Sequence, residues 1–260
     1  MSGKEIILKR EKGIATIIFN RPDVHNALNS AMVDGLERAL GEIGADQGIR
    51  CVILTGAGEK SFLSGSDISE LSKRTTLTGI ESSLKRQALL NRIDELSIPS
   101  IAAINGYAFG VGCEIALACT LRLASEKAKM GQLEINLGII PGAGGTQRLP
   151  RLIGKARAAE LILTGKIIGA EEAYRLGLVN RVLSPEHLMD GCREWAGTIS
   201  EKSPIAMKYA LRAINQGIEV DLATGLKIEG LCLGACFASK DSKEGLNAFL
   251  EKRKPKFEGS

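Results

Sequence analysis

The sequence predicts an α/β fold with a largely buried sheet, followed by a helical C-terminal region. Two observations carry this. In the first part of the chain, short apolar runs of strand length alternate with stretches of helical spacing. After about Leu183 the alternation stops and only helical spacing remains. The boundary is expected after residue 198, giving a core over 1–198 and a helical region over 199–260.

Taken in order, residues 6–9 and 15–19 flank the turn Glu11-Lys12-Gly13 and read as a hairpin. The runs CVILT at 51–55 and IAAIN at 101–105 end in turn glycines, as strands buried on both faces do. Helical stretches such as 31–43 and 80–96 separate them. Residues 185–200, 204–216, 222–237 and 240–252 all have helical spacing. Their apolar faces, Leu231, Leu233, Ala235 and Phe237 among them, are too rich to stay wet. They are expected to pack on the main domain or on another subunit.

Composition excludes several function classes. The 260 residues are 44% hydrophobic and 25% charged, ordinary for a globular chain. Aromatic residues are only 4%, too few for stacking platforms on single strands. A net charge of +4 favours an anionic ligand but is far from a nucleic-acid-binding face. The basic run EKRKPK at 251–256 reads as a solvated helix end or, alternatively, a phosphate contact. Six scattered cysteines form no CxxC pair, and only His25 and His187 could add imidazole ligands. No metal site and no disulfide framework are expected; buried thiols in a reducing compartment fit better. The N-terminal segment lacks a signal-like apolar core and no run is long enough to span a bilayer, so a cytoplasmic protein without a membrane partner is expected.

Familiar motifs fail one by one. Gly110-Val111-Gly112 opens like a dinucleotide fingerprint, but Ile115 stands at the third glycine position. GAGEKS at 56–61 lacks the spacing of a phosphate-binding loop, and FLSGSD at 62–67 is no GxSxG. What remains is a pair of isolated carboxylates, Glu114 in NGYAFGVGCEIALAC and Glu134 in GQLEINLGIIPGAGG. Carboxyls in apolar surroundings have raised proton affinities, which suits acid–base work near neutral pH. The competing reading is a partly exposed glutamate at a helix start, favoured by the dipole. A glycine turn between strand and helix also leaves backbone N–H groups free for a developing oxyanion.

The segments IPSIAAINGYAFGVGCEIALAC and GQLEINLGIIPGAGGTQRLPRLIGKARAAELILTG closely resemble the crotonase superfamily, specifically its enoyl-CoA hydratases. NRPDVHNALN, FLSGSDISEL, AYRLGLVNRVL and AFLEKRKPKF extend the resemblance over nearly the whole chain. It implies a spiral of ββα units with a C-terminal helical trimerisation region, assembled as a trimer or dimer of trimers. It implies catalytic carboxylates at Glu114 and Glu134, and oxyanion-hole N–H groups at Ser66 and Val111. Asp67, Ile68, Gly110, Gly142 and Lys252 are placed at the substrate and coenzyme A. Coenzyme A is then part of the acyl-CoA substrate, and no separate cofactor is needed. The activity implied is hydration of a 2-trans-enoyl-CoA, the alternatives being a double-bond isomerase or a lyase on the same scaffold. Three departures stand out: Val111 within the glycine triplet, Ser66 for the usual alanine, and Ser69 where many hydratases carry a lysine. The pocket wall is expected to include residues 72–90, with Leu77, Ile80 and Leu84.

Overall fold

Strands that read as continuous apolar runs are buried along their whole length because both faces of one sheet are covered. The computed structural model describes residues 5–260. It opens with an antiparallel hairpin of β1 (Ile6–Glu11) and β2 (Ile14–Phe19). Helix α1 (Ser30–Ala45) starts at Asn29, whose side chain accepts the Met32 N–H. Three ββα units follow. The first is β3 (Cys51–Gly56), β4 (Ser61–Leu63), α2 (Ile68–Leu71) and α3 (Thr76–Asp94). The second is β5 (Ser100–Ile104), β6 (Tyr107–Phe109) and α4 (Val111–Ala118). The third is β7 (Leu121–Ser125), β8 (Lys129–Gly131), a 3-10 turn at Glu134–Leu137, α5 (Gly145–Ile153) and α6 (Lys155–Thr164).

The first strand of each unit joins a six-stranded sheet of order β1-β2-β3-β5-β7-β10, where β10 is Arg181–Leu183. The second strand joins a four-stranded sheet of order β4-β6-β8-β9, where β9 is Ile168–Gly169. β3, β5 and β7 pair in parallel, as do β4, β6 and β8. The chain therefore advances one strand in each sheet per unit, which is the expected spiral. Helix α7 (Ala170–Arg175) bridges β9 and β10.

The two-residue period of a strand divides its side chains between two cores. Val52, Leu54, Ala102 and Ile104 enter the main core with α1, α3 and α4. Cys51, Ile53, Ile101, Ala103 and Leu123 face the other way, onto Leu188, Cys192 and Ala196 of α8 (Leu188–Ser200). Helix α8 ends just past the boundary expected at 198/199. Five of the six cysteines are buried, and all six are free thiols.

Beyond α8, α9 (Pro204–Gly217) and α10 (Leu222–Phe237) pack on each other, with Gly217 and Gly225 at the close approach. Helix α11 (Lys240–Leu250) follows. The main domain does not cover the α10 face. Leu231, Leu233 and Phe237 are 77%, 56% and 59% exposed in the single chain. No single helix among the described residues is long and apolar enough to cross a membrane; α10 and α11 would pass only together, and they meet at a 76° bend.

Candidate active site

The ends of the three short parallel strands β4, β6 and β8 carry the site. After β4 the chain turns at Ser64-Gly65 and returns to pair beside Leu28: the Leu28 N–H donates to Gly65 O at 2.8 Å, and the Asp67 N–H donates to Leu28 O at 2.9 Å. This fixes Ser66 while its own N–H makes no backbone hydrogen bond among the described residues. After β6, Gly110 takes φ +51°, a conformation side chains resist, and α4 begins at Val111. The positive φ thus falls on Gly110, so Val111 occupies an ordinary first helical position with its N–H unpaired within the helix. The two turns are in contact, because a Cβ on Gly112 would lie 2.0 Å from Leu63 O. Only a glycine lets α4 sit this close to the end of β4.

Glu114, in the first turn of α4, is 2% exposed, so the partly exposed alternative does not hold for it. Its Oε1 accepts the N–H groups of Ala143 and Gly145, each at 2.7 Å. Burial raises its proton affinity, while those two hydrogen bonds and the cations of Arg86 and Arg148 oppose the rise. Glu134 opens the 3-10 turn after β8, half-buried, and its Oε2 has no partner among the described residues. Burial pushes it up to about 7, with the charge of Glu114 adding to the rise against a hydrogen bond from its own backbone. Gly110 lies against it: a Cβ there would stand 2.8 Å from Glu134 Oε1. The structure thus gathers Ser66, Gly110, Val111, Glu114 and Glu134 in one place.

Gly142 belongs to the same place through the loop before α5, where its carbonyl accepts Gln87 Nε2 at 3.1 Å and the Ser83 hydroxyl. The other expected contacts are used differently. Asp67 caps α2 by accepting the Ser69 N–H at 3.1 Å, and it pairs with Arg21 at 3.0 Å. Ser69, in the usual lysine position, donates its hydroxyl to the same carboxylate. Ile68 is 57% exposed. Lys252 is exposed past the end of α11 at φ +55°, with no contact to these residues among those described.

Two residues of the site escaped the sequence reading. Gln132, directly after β8, is 1% exposed, and neither atom of its amide has a partner among the described residues. Arg86 of α3 is 8% exposed and donates to Ser66 Oγ at 2.7 Å. Conversely, Leu77, Ile80 and Leu84, expected in the pocket wall, are 72%, 53% and 59% exposed. The face of α3 turned to the site carries Ser83, Arg86 and Gln87 instead. A cleft of about 1240 Å³ lies elsewhere, between the outer face of β1–β2 and α8, and none of these residues lines it.

Comparison with known proteins places the chain in a family. Residues 9–260 match the family model described as enoyl-CoA hydratase/isomerase. The chain is 45% identical over 254 residues to a short-chain-enoyl-CoA hydratase of Clostridium acetobutylicum, covering 98% of this chain and 97% of that one. It is 41% identical to a crotonyl-CoA hydratase of Syntrophomonas wolfei, covering 99% of each. Among solved structures, an enoyl-CoA hydratase from Bacillus anthracis superposes with a TM-score of 0.95 at 42% identity, covering 98% of this chain and all of that one.

Proposed function

The chain belongs to the enoyl-CoA hydratase/isomerase family, and from that premise we propose that it adds water across the α,β double bond of a 2-trans-enoyl-CoA to give a 3-hydroxyacyl-CoA. The observation that carries this reading is a buried carboxylate held by backbone N–H groups and arginines, paired with a half-buried one that has neither cation nor a partner for Oε2, beside two free backbone N–H groups.

The thioester oxygen accepts hydrogen bonds from Ser66 and Val111, drawing charge out of the conjugated double bond. Each such donor is worth on the order of 10²–10³ in rate. Glu114 is the base. Its Oε1 is held by two backbone N–H groups and its charge is supported by two arginines against the burial that raises its proton affinity, and Oε2 is left for water. Water attacks the β-carbon as Glu114 takes its proton. Glu134, with no cation to hold its charge and a proton affinity near neutrality, delivers a proton to the α-carbon. Net proton transfer from Glu114 to Glu134 restores the start. Gln132, with a free amide beside Glu114, orients the reacting water.

The same reading includes assembly as a trimer or dimer of trimers through α10 and α11, supported by their uncovered leucines and phenylalanines. Lys252, remote from its own chain's site, then reaches a neighbour's coenzyme A. Free buried thiols are in keeping with the cytoplasm.

The test is loss of the conjugated-thioester absorbance of crotonyl-CoA, with the parent beside Glu114→Gln and Glu134→Gln. Formation of 3-hydroxybutyryl-CoA by the parent, with each variant down by roughly 10²–10⁴, is the expected result. A product with a shifted double bond and no added water would replace hydration by isomerisation.

A further inference from the structure

Arg86 is a buried cation whose guanidinium is hydrogen-bonded to no carboxylate among the described residues. A guanidinium carries five N–H donors, and the single hydrogen bond Arg86 makes among the described residues goes to the neutral Ser66 Oγ, at 2.7 Å. No carboxylate forms an ion pair with it among the described residues. The two acidic groups that act on it from farther away are already engaged. Glu70 accepts the N–H and hydroxyl of Ser30, and Glu114 Oε1 is held by Ala143 and Gly145. Arg74 adds repulsion. Glu114 and Glu70 offset part of the cost of burying this charge through space, but nothing among the described residues satisfies the remaining guanidinium N–H donors.

Its position says what would. Ser66 links Arg86 directly to the turn assigned to the thioester oxygen, and α3 sets Ser83 and Gln87 on the same side, against Gly142. The face of α3 turned toward Ser66 and Gly142 thus carries a hydroxyl, a guanidinium and an amide. Of the aliphatic side chains of α3, Leu77, Ile80 and Leu84 are exposed, while Leu89, Leu90 and Ile93 are buried in the core.

Resting on the hydratase reading above, we infer that the enzyme takes short 2-enoyl-CoA thioesters whose acyl group ends in a second carboxylate, with Arg86 as the residue that binds that carboxylate. A coenzyme A phosphate is the other anion in the substrate, and the test separates the two. The probes are crotonyl-CoA and glutaconyl-CoA as substrates, with butyryl-CoA and glutaryl-CoA as saturated inhibitors. All four share the same phosphates; only two carry the acyl carboxylate.

The parent is expected to show a kcat/KM for glutaconyl-CoA above that for crotonyl-CoA by on the order of 10-fold or more, and glutaryl-CoA to inhibit more tightly than butyryl-CoA by a similar factor. In Arg86→Met that preference collapses; in Arg86→Lys part of it returns. The inhibitor comparison needs only the parent, so it decides the matter even if Arg86→Met does not fold. Equal inhibition by the two saturated thioesters overturns the inference, as does an equal loss on both substrates in Arg86→Met, which would assign Arg86 to the phosphates or to Glu114. A parent that hydrates crotonyl-CoA and ignores glutaconyl-CoA overturns this inference alone. A parent that hydrates neither overturns the hydratase reading and this inference with it.

Discussion

The Gly145 N–H lies 2.7 Å from Glu114 Oε1, and a Cβ on Gly145 would stand 3.0 Å from that same oxygen. The contact that holds the carboxylate is available only to a residue without a side chain. Gly145→Ala, whose added methyl would also meet Gln132 Nε2 at 2.8 Å and Pro141 Cβ at 2.9 Å, must shift the loop. A displacement approaching 1 Å at a positioned group costs about 10²-fold in rate. Steady-state kinetics should show that loss in kcat with KM little changed; unaltered kcat would mean that the loop does not position Glu114.

Gly110 and Val111 should respond in opposite ways. Gly110→Ala forces a side chain into positive φ and against Glu134 Oε1, at 2.8 Å, and is expected to lose hydration by orders of magnitude. Val111→Gly keeps the N–H and the ordinary backbone of a first helical residue. It should retain activity within a few-fold, at about 1 kcal/mol in stability for a glycine in a helix and somewhat more for lost packing. Comparable inactivation of both would contradict the placement of the turn.

Glu134 ties stability to pH. Its folded proton affinity, at about 7, lies above the ordinary value of 4.5. The stability it contributes is therefore full below about 4.5 and is lost as pH rises through 7, by at most about 3 kcal/mol before allowance for partial exposure. Urea midpoints at pH 5 and pH 8 should differ less for Glu134→Gln than for the parent. The parent's hydratase rate should also decline above neutrality as the acid deprotonates. A parent whose stability rises from pH 5 to pH 8 relative to the variant would reverse the sign of this linkage.

The assembly has its own test. Phe249 and Leu250 of α11 are 82% and 78% exposed in the single chain, as Leu231 of α10 is at 77%. Replacing Leu231 and Phe249 together by glutamate should convert a trimer or hexamer to monomer in sedimentation. A parent that sediments as a monomer would remove the need for a covering subunit.

The sequence made the long elements legible and the short ones not. β3 and β5 stand out as unbroken apolar runs because both their faces are buried. β4, β6 and β8 have three residues each, too few to show a period, so the structural repeat left no visible repeat in the sequence. The glutamates were conspicuous because each sits alone among apolar neighbours. Arg86 lies in a polar stretch, ESSLKRQ, where an arginine reads as solvated, and Gln132 carries no charge to attract notice. The segment 72–90 was legible as a neighbour of the site, but its side chains that face Ser66 and Gly142 are Ser83, Arg86 and Gln87, while Leu77, Ile80 and Leu84 are exposed in the single chain.

Because Ser66, Val111 and Glu134 follow the ends of three neighbouring parallel strands, the spacing of the reacting groups is inherited from the ladder between β4, β6 and β8. Adjacent strands lie about 4.8 Å apart whatever their side chains are. Under the proposed reaction the main chain is thus a fixed gauge for the thioester, common to any substrate. Choice among acyl groups is left to a separate part, the inward face of α3, which can be rewritten without recalibrating the chemistry.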